Sequence, residues 1–171
     1  MAKYWSTIHF HSYDWDKVTT CYWKRYPNPN SQHVFSEDVL FRILDEKGCL
    51  RSKRLIVKTN KLPSWGEHLF STRHVWLIEE SMVDPKNKTM IVYTRNLNLR
   101  FWMGTTERMT LAPKDAFSTQ VTKEVWIESD FYGLRSAIKT FGIDRFKKNC
   151  DRATQGFDWV LQRTLNNDES T

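Results

Sequence analysis

Trp23-Lys24-Arg25-Tyr26-Pro27-Asn28-Pro29, followed by Ser31-x-His33-Val34, runs an amphipathic helix into a double-proline stop. Upstream, Asp14-Trp15-Asp16-Lys17-Val18-Thr19-Thr20-Cys21-Tyr22 sets Trp15, Val18 and Tyr22 three or four residues apart, with Trp23 beside them, so one helix face is apolar. Asp14 is placed to cap the first turn, because its carboxylate accepts from the unpaired amides there. Pro27 and Pro29 cannot continue the helix, and each disfavours the α conformation in the residue before it. Arg25 therefore falls in the last turn, where the carbonyl dipoles favour a cation. A cation beside so rigid a turn also suits an anionic ligand, and the pattern leaves both roles open.

On either side the periodicity changes. Residues 3 to 13 alternate, with Tyr4, Ser6, Ile8 and Phe10 on one face and Trp5, Thr7, His9 and His11 on the other, which predicts a strand. Beyond the double proline, Val39–Leu44 and Leu50–Thr59 flank a turn ending in Gly48. Val75–Met82 and Thr89–Leu97 flank Asp84-Pro85-Lys86-Asn87. Arg100–Leu111 and Thr119–Ile127 read as a further pair around Pro113-Lys114-Asp115. Short turns between successive strands predict an antiparallel meander.

The last third has helical periodicity. Phe146, Cys150, Ala153, Phe157, Val160 and Leu161 form one apolar stripe. Leu134, Ile138 and Phe141 form another, and Gly142 between them predicts a phase shift or bend. The expected fold is α+β: a curved antiparallel sheet of about seven strands wrapped around a long C-terminal helix, a helix-grip.

The 171 residues are expected to make a single domain, 1–171, with no linker, repeat or low-complexity segment. A chain with 40% hydrophobic and 14% aromatic residues is too apolar for disorder. No apolar run is long enough for a transmembrane helix. Cys21, Cys49 and Cys150 are too sparse for a disulfide framework or a zinc motif and are expected as reduced, buried thiols. The N-terminus has neither a signal-peptide core nor a basic presequence, which by itself suggests the cytosol. A net charge of +6 suits an anionic partner: nucleic acid, an acidic membrane or a phosphorylated ligand.

Arg145, Asn149 and Arg152, spaced by four and three, share a helix face beside the apolar stripe. Such a set is either a basic edge with its charges in water or a phosphate cradle of two cations and one amide donor. Residues 51 to 61 contain no acid; alternation puts Arg51 and Lys53 on one face and Arg54 and Lys58 on the other. Charge of that kind also protects an edge strand. His9-x-His11 sets two histidines on one strand face, but no third metal ligand has suitable spacing. No glycine-rich phosphate loop, nucleophile elbow or HExxH motif is present, so no enzyme reading emerges.

The helix ending in Arg25-Tyr26-Pro27-Asn28-Pro29 and leading to His33-Val34 resembles the PRELI family of phospholipid transfer proteins of the mitochondrial intermembrane space. Asp38-Val39-Leu40, Arg54-Leu55, Lys58-x-x-Lys61-Leu62-Pro63-x-Trp65, Ser81-Met82-Val83-Asp84-Pro85, Thr94-Arg95-Asn96-Leu97, Arg145-Phe146-x-x-Asn149 and Gly156-Phe157 follow in the family's order. The resemblance runs from about residue 3 to 165 and is greatest to the branch that carries phosphatidic acid. It implies a lipid cavity of the START type and a headgroup set of Arg25, His33, Lys58, Arg145, Asn149 and Arg152. It implies a lid over Lys61, Leu62, Pro63, Trp65, Leu69 and Phe70 that opens at the bilayer. Asn30 departs from the aromatic residue usual after the double proline.

The expected function is therefore non-enzymatic carriage of phosphatidic acid between the outer and inner mitochondrial membranes, in support of cardiolipin synthesis. No cofactor or metal is required; the bound phospholipid is cargo. The implied partners are a small helical-hairpin protein with twin Cys-x9-Cys motifs, in a heterodimer, and, transiently, an anionic membrane. Nucleic acid is not an expected partner. Phosphatidylserine is the rival cargo, and a nucleic-acid-binding or protein-interaction module is the rival class.

Overall fold

The computed structural model describes residues 1–59 and 74–168. Seven antiparallel strands form one sheet in the order β1-β7-β6-β5-β4-β3-β2. They are β1 (Lys3–His11), β2 (Val34–Leu44), β3 (Leu50–Thr59), β4 (His74–Asp84), β5 (Thr89–Asn96), β6 (Gly104–Pro113) and β7 (Thr119–Glu128). Helix α1 (Trp15–Cys21) and two 3-10 turns, Tyr22–Lys24 and Pro29–Ser31, carry the chain from one sheet edge to the other. Helix α2 (Arg135–Asp168) lies against the curved sheet, touching β1, β7, α1 and the second 3-10 turn. This is the expected helix-grip.

Asp14 caps α1 by accepting from the Lys17 amide at 2.9 Å. Trp15, Val18, Cys21 and Tyr22 are buried as the spacing requires. The hairpin turn after β2 has Gly48 at φ 80°, a left-handed conformation that glycine adopts without steric cost. All three cysteines are buried and none forms a disulfide.

Four details differ from the expectations. The strand expected from Arg100 begins at Gly104. Leu99 turns left-handed, at φ 62°, and the buried Asn96 holds the preceding loop with its side chain. Strand β2 starts earlier, at Val34, because irregularities at Val34/Ser36 and Val39/Phe41 blur its alternation. Strand β3 is not an edge: it pairs with both β2 and β4. Finally, α2 is one helix through Gly142. A Cβ there would sit 2.8 Å from Ile127 and 2.9 Å from Met103, so the glycine permits close helix–sheet approach rather than ending a stripe. Gly156 does the same where α2 meets the double-proline turn; a Cβ would fall 2.4 Å from Asn28 Oδ1.

The core is in two parts. Trp15, Val18, Tyr22, Met90, Val92, Leu111, Val121, Phe157, Val160 and Leu161 pack together toward the α1 end. Val125, Ile127 and Ile143, with Trp5, Met103 and Phe146, pack further along α2. Full burial of each such side chain contributes about 1.5–3 kcal/mol. Between Val121 and Val125, the inward position is Lys123. A buried cation in an apolar phase marks the place where the two cores part.

Candidate lipid headgroup site

The space between the cores is a cavity of two adjoining chambers. One, about 180 Å³, is the more polar of the two and lies against the double-proline turn. The other, about 90 Å³, is walled by Val75, Leu99, Trp102, Met103, Ile127 and Gly142. Lys58, Leu77, Phe146 and Asn149 line both. Phe146 and Ala153, expected as core, thus face cavity space.

The structure brings all six residues of the anticipated headgroup set to these walls. Arg25, His33, Lys58, Asn149 and Arg152 line the polar chamber; Lys58, Arg145 and Asn149 line the apolar one. The face shared by Arg145, Asn149 and Arg152 borders the cavity, as their spacing on α2 requires. Lys58, His33, Arg145 and Asn149 are half-buried, whereas Arg152 reaches solvent. The anticipated lid residues Lys61, Leu62, Pro63, Trp65, Leu69 and Phe70 lie outside the described residues. Asn30 lines the polar chamber, its amide 3.5 Å from Gln155 Oε1.

Arg25 is held by two contacts within the protein. Its Nη1 donates to the Tyr22 carbonyl at 3.2 Å, at the helix end. Its Nη2 pairs with Glu79, which also accepts from Tyr22 Oη at 3.0 Å and from Arg54. Arg54 reaches on to Glu37. Arg25, Arg54 and Glu79 are all buried, and the Tyr22 ring lies 4.1 Å under the Arg25 guanidinium. Burial alone would raise the Glu79 pKa, but Arg25 and Arg54 outweigh it and hold the carboxyl below its ordinary range. The first anion that Arg25 meets is therefore internal.

The remaining charges are less fully matched. Arg25, Lys58, Lys123, Arg145 and Arg152 outnumber the acids Glu79 and Glu107 on the chamber walls. Burial pushes the Lys58 pKa down; Glu107 opposes this and Arg145 adds to it. Burial also lowers Arg145. Burial raises Glu107, against the pull of Lys123 and Lys58. A second anion entering here would offset the desolvation of these cations.

Glu79, Glu107 and Lys123 were missed by sequence reasoning. Lys123 had a local signal, since it breaks the Val121, Val125, Ile127 phase. Glu79 and Glu107 had none, because charged residues on a half-exposed strand are ordinary. The alternation in β3 was legible: Ser52, Arg54 and Ile56 point inward and are buried, and Lys58 follows in phase.

The two histidines of β1 have partners within the protein. His11 Nδ1 lies 2.6 Å from Asp158 Oδ1, and the His9 and His11 rings stand edge to face. Among the described residues no group of three metal-ligating side chains converges. Burial, then Lys123 and His11, lower the His9 pKa to about 3. Between pH 3 and its ordinary value near 6.5, the unfolded chain binds a proton at His9 that the folded chain does not. Stability therefore rises with pH across that window. His9→Gln should flatten the rise, recovering on the order of 1 kcal/mol of relative stability at pH 5 in urea melts, after allowance for solvent at the ring edge.

Comparison with known proteins adds ancestry to this geometry. Residues 16–168 match the model of the PRELI-like family. The chain is 39% identical over 168 residues to the chicken (Gallus gallus) "PRELI domain-containing protein 1, mitochondrial", covering 95% of this chain and 78% of that protein. It is 35% identical over 160 residues to the Saccharomyces cerevisiae "Protein UPS1, mitochondrial", covering 92% and 91%. Solved structures share the fold at low identity. A START superfamily protein from Mycobacterium smegmatis superposes with a TM-score of 0.56 at 11% identity, covering 94% of this chain and 98% of that one. The Zhui aromatase/cyclase from Streptomyces reaches 0.65 at 9%, covering 96% of each chain.

Proposed function

Because the chain belongs to the PRELI-like family, we propose that it is a non-enzymatic carrier of phosphatidic acid between mitochondrial membranes. The observation that supports this reading is the two-chamber cavity: a chamber with an excess of cations shares Lys58 and Asn149 as wall with an apolar one.

The chemistry follows from the cost of exposure. Each methylene left in water costs ~0.8 kcal/mol, so a phospholipid crosses an aqueous gap only with its chains covered. The apolar walls cover chain segments, while Lys58, Asn149, Arg145 and Arg152 surround the phosphate. A phosphomonoester is small and carries charge on several oxygens, so it can engage these donors together. A choline headgroup would bring a cation beside Lys58 and Arg152 and obstruct the remaining donors. Phosphatidylserine shares the phosphate and is the competitor to exclude.

In this reading the protein works in the intermembrane space, where its phosphatidic acid feeds cardiolipin synthesis. It acts there as a heterodimer with a small helical-hairpin protein bearing twin Cys-x9-Cys motifs. Docking is transient and electrostatic, since each basic residue near an anionic surface contributes ~1 kcal/mol.

The test is transfer of labelled phosphatidic acid between liposomes, with phosphatidylserine and phosphatidylcholine in parallel and the small partner present. Phosphatidic acid should move fastest from anionic donors, and added salt should slow it. Equal rates for all three lipids would refute the cargo assignment. No transfer of any, by folded and partnered protein, would refute the carrier.

A further inference from the structure

At the β1 start of the sheet, two loops meet beside the apolar chamber: the β5–β6 loop, residues 97–103, and the β7–α2 loop, residues 129–134. They expose large apolar side chains together: Leu97 is 50% exposed, Phe101 67% and Tyr132 91%. Single exposed hydrophobics are ordinary, but this group is held outward by construction.

Asn96 is buried and braces the first loop from inside. Its Nδ2 donates to the Asn98 and Met103 carbonyls at 2.7 and 2.9 Å, and its Oδ1 accepts from the Thr105 amide at 2.8 Å. Asn98 ties the loop to β4, accepting from the Trp76 amide at 3.0 Å and donating to the His74 carbonyl at 2.9 Å. Leu99 takes the uncommon left-handed conformation, which turns the chain so that Leu99, Trp102 and Met103 line the chamber. Leu97 and Phe101 are left outside. The second loop is joined to the first: the Asp130 amide donates to the Phe101 carbonyl at 3.2 Å, and the Phe101 and Phe131 rings meet edge to face.

The charge at this end is also specific. Arg100 precedes Phe101, and Arg135 opens α2 with no acid in the first turn. A cation at a helix N-terminus is opposed by the dipole, so local stability does not explain Arg135. Lys3 and Lys139 stand at the same end; Glu128 and Asp130 are the acids beside them. Among the described residues neither Arg100 nor Arg135 forms an ion pair with an acid.

We propose that the two loops form a preorganised membrane-contact tip: Leu97, Phe101 and Tyr132 enter the interface of an anionic bilayer, and Arg100 and Arg135 meet its phosphates. This rests on the carrier reading and adds a docking surface to it. Apolar and aromatic tips flanked by arginine match the layering of a bilayer interface, with chains below and phosphates above. Protruding side chains on two loop ends suit a fluid interface, which needs no groove. The bracing keeps the apolar groups out of the chamber without cost at docking. The same loop wall faces the chamber on one side and the bilayer on the other, so chains leave the protein next to the lipid that receives them.

The test separates docking from cargo binding. The Phe101→Ser/Tyr132→Ser variant should lose about tenfold in association with phosphatidylcholine vesicles containing cardiolipin. It should melt at the wild-type temperature, because both side chains are exposed. It should bind soluble dioctanoyl phosphatidic acid as wild type does. Phe101→Trp should retain vesicle association and gain fluorescence that brominated lipids quench. Unchanged association of the serine variant, or no quenching at position 101, would overturn the tip while leaving the carrier intact. Failure of the wild type to bind dioctanoyl phosphatidic acid would instead count against the carrier.

Discussion

Glu79→Ala should cost about 3 kcal/mol of unfolding free energy, because it removes the carboxylate that Arg25, Arg54 and Tyr22 share and leaves Glu37 to face both guanidiniums. Both guanidiniums are buried and recover little hydration; Glu37, paired with Arg54 and 3.8 Å from Arg25, is the acid left to them. That is a large fraction of the ~5–15 kcal/mol available to a domain of this kind. Glu80→Ala is the matched control. Its carboxylate pairs with Lys53 and Arg95, but all three side chains are at least a third exposed. Its loss should cost under about 1 kcal/mol. Urea unfolding of the two variants measures the difference directly. Equal costs would mean that the Glu79 cluster is not the structural keystone of the double-proline turn.

Lys58→Met should do the reverse. Lys58 stands where the chambers meet, and burial already lowers its pKa, so replacing it with an apolar side chain should leave stability equal or higher. Transfer of phosphatidic acid should fall by roughly 10- to 100-fold, the worth of one charge-assisted hydrogen bond of about 1.5–3 kcal/mol. Liposome transfer and thermal melting on the same preparation decide it. A wild-type rate would remove Lys58 from the headgroup set. A slow rate with a lowered melting temperature would show a folding defect instead. Arg25 is unsuited to this test, since any change there also breaks the Glu79 cluster.

Much of the architecture was legible because periodicity is local. The helix from Trp15, the β3 alternation of Arg54 and Lys58, and the shared face of Arg145, Asn149 and Arg152 each depend on neighbours within a few residues. Residues 100–103 of the β5–β6 loop were misread as strand. Residues 100–103 keep strand-like composition, and the buried Asn96 that redirects them hydrogen-bonds across the loop. Gly142 was read as a bend for a similar reason: its cause is Ile127 and Met103 on other elements.

The sequence by itself therefore determined the order of elements, the alternating faces of β1 and β3, and the helix face shared by Arg145, Asn149 and Arg152. Those properties follow from two repeats, about 2 and 3.6 residues, that every segment carries within itself. The tertiary structure alone decided how the charges are spent. Arg54 and Glu79 are direct cross-strand partners in the β3–β4 register, and Arg25 reaches the same carboxylate from the far end of α1. Glu107 and Lys123 meet Lys58 only once the sheet has curved around α2. Electrostatic pairing acts through space, and burial sets its strength. Neither distance nor burial is written in spacing along the chain.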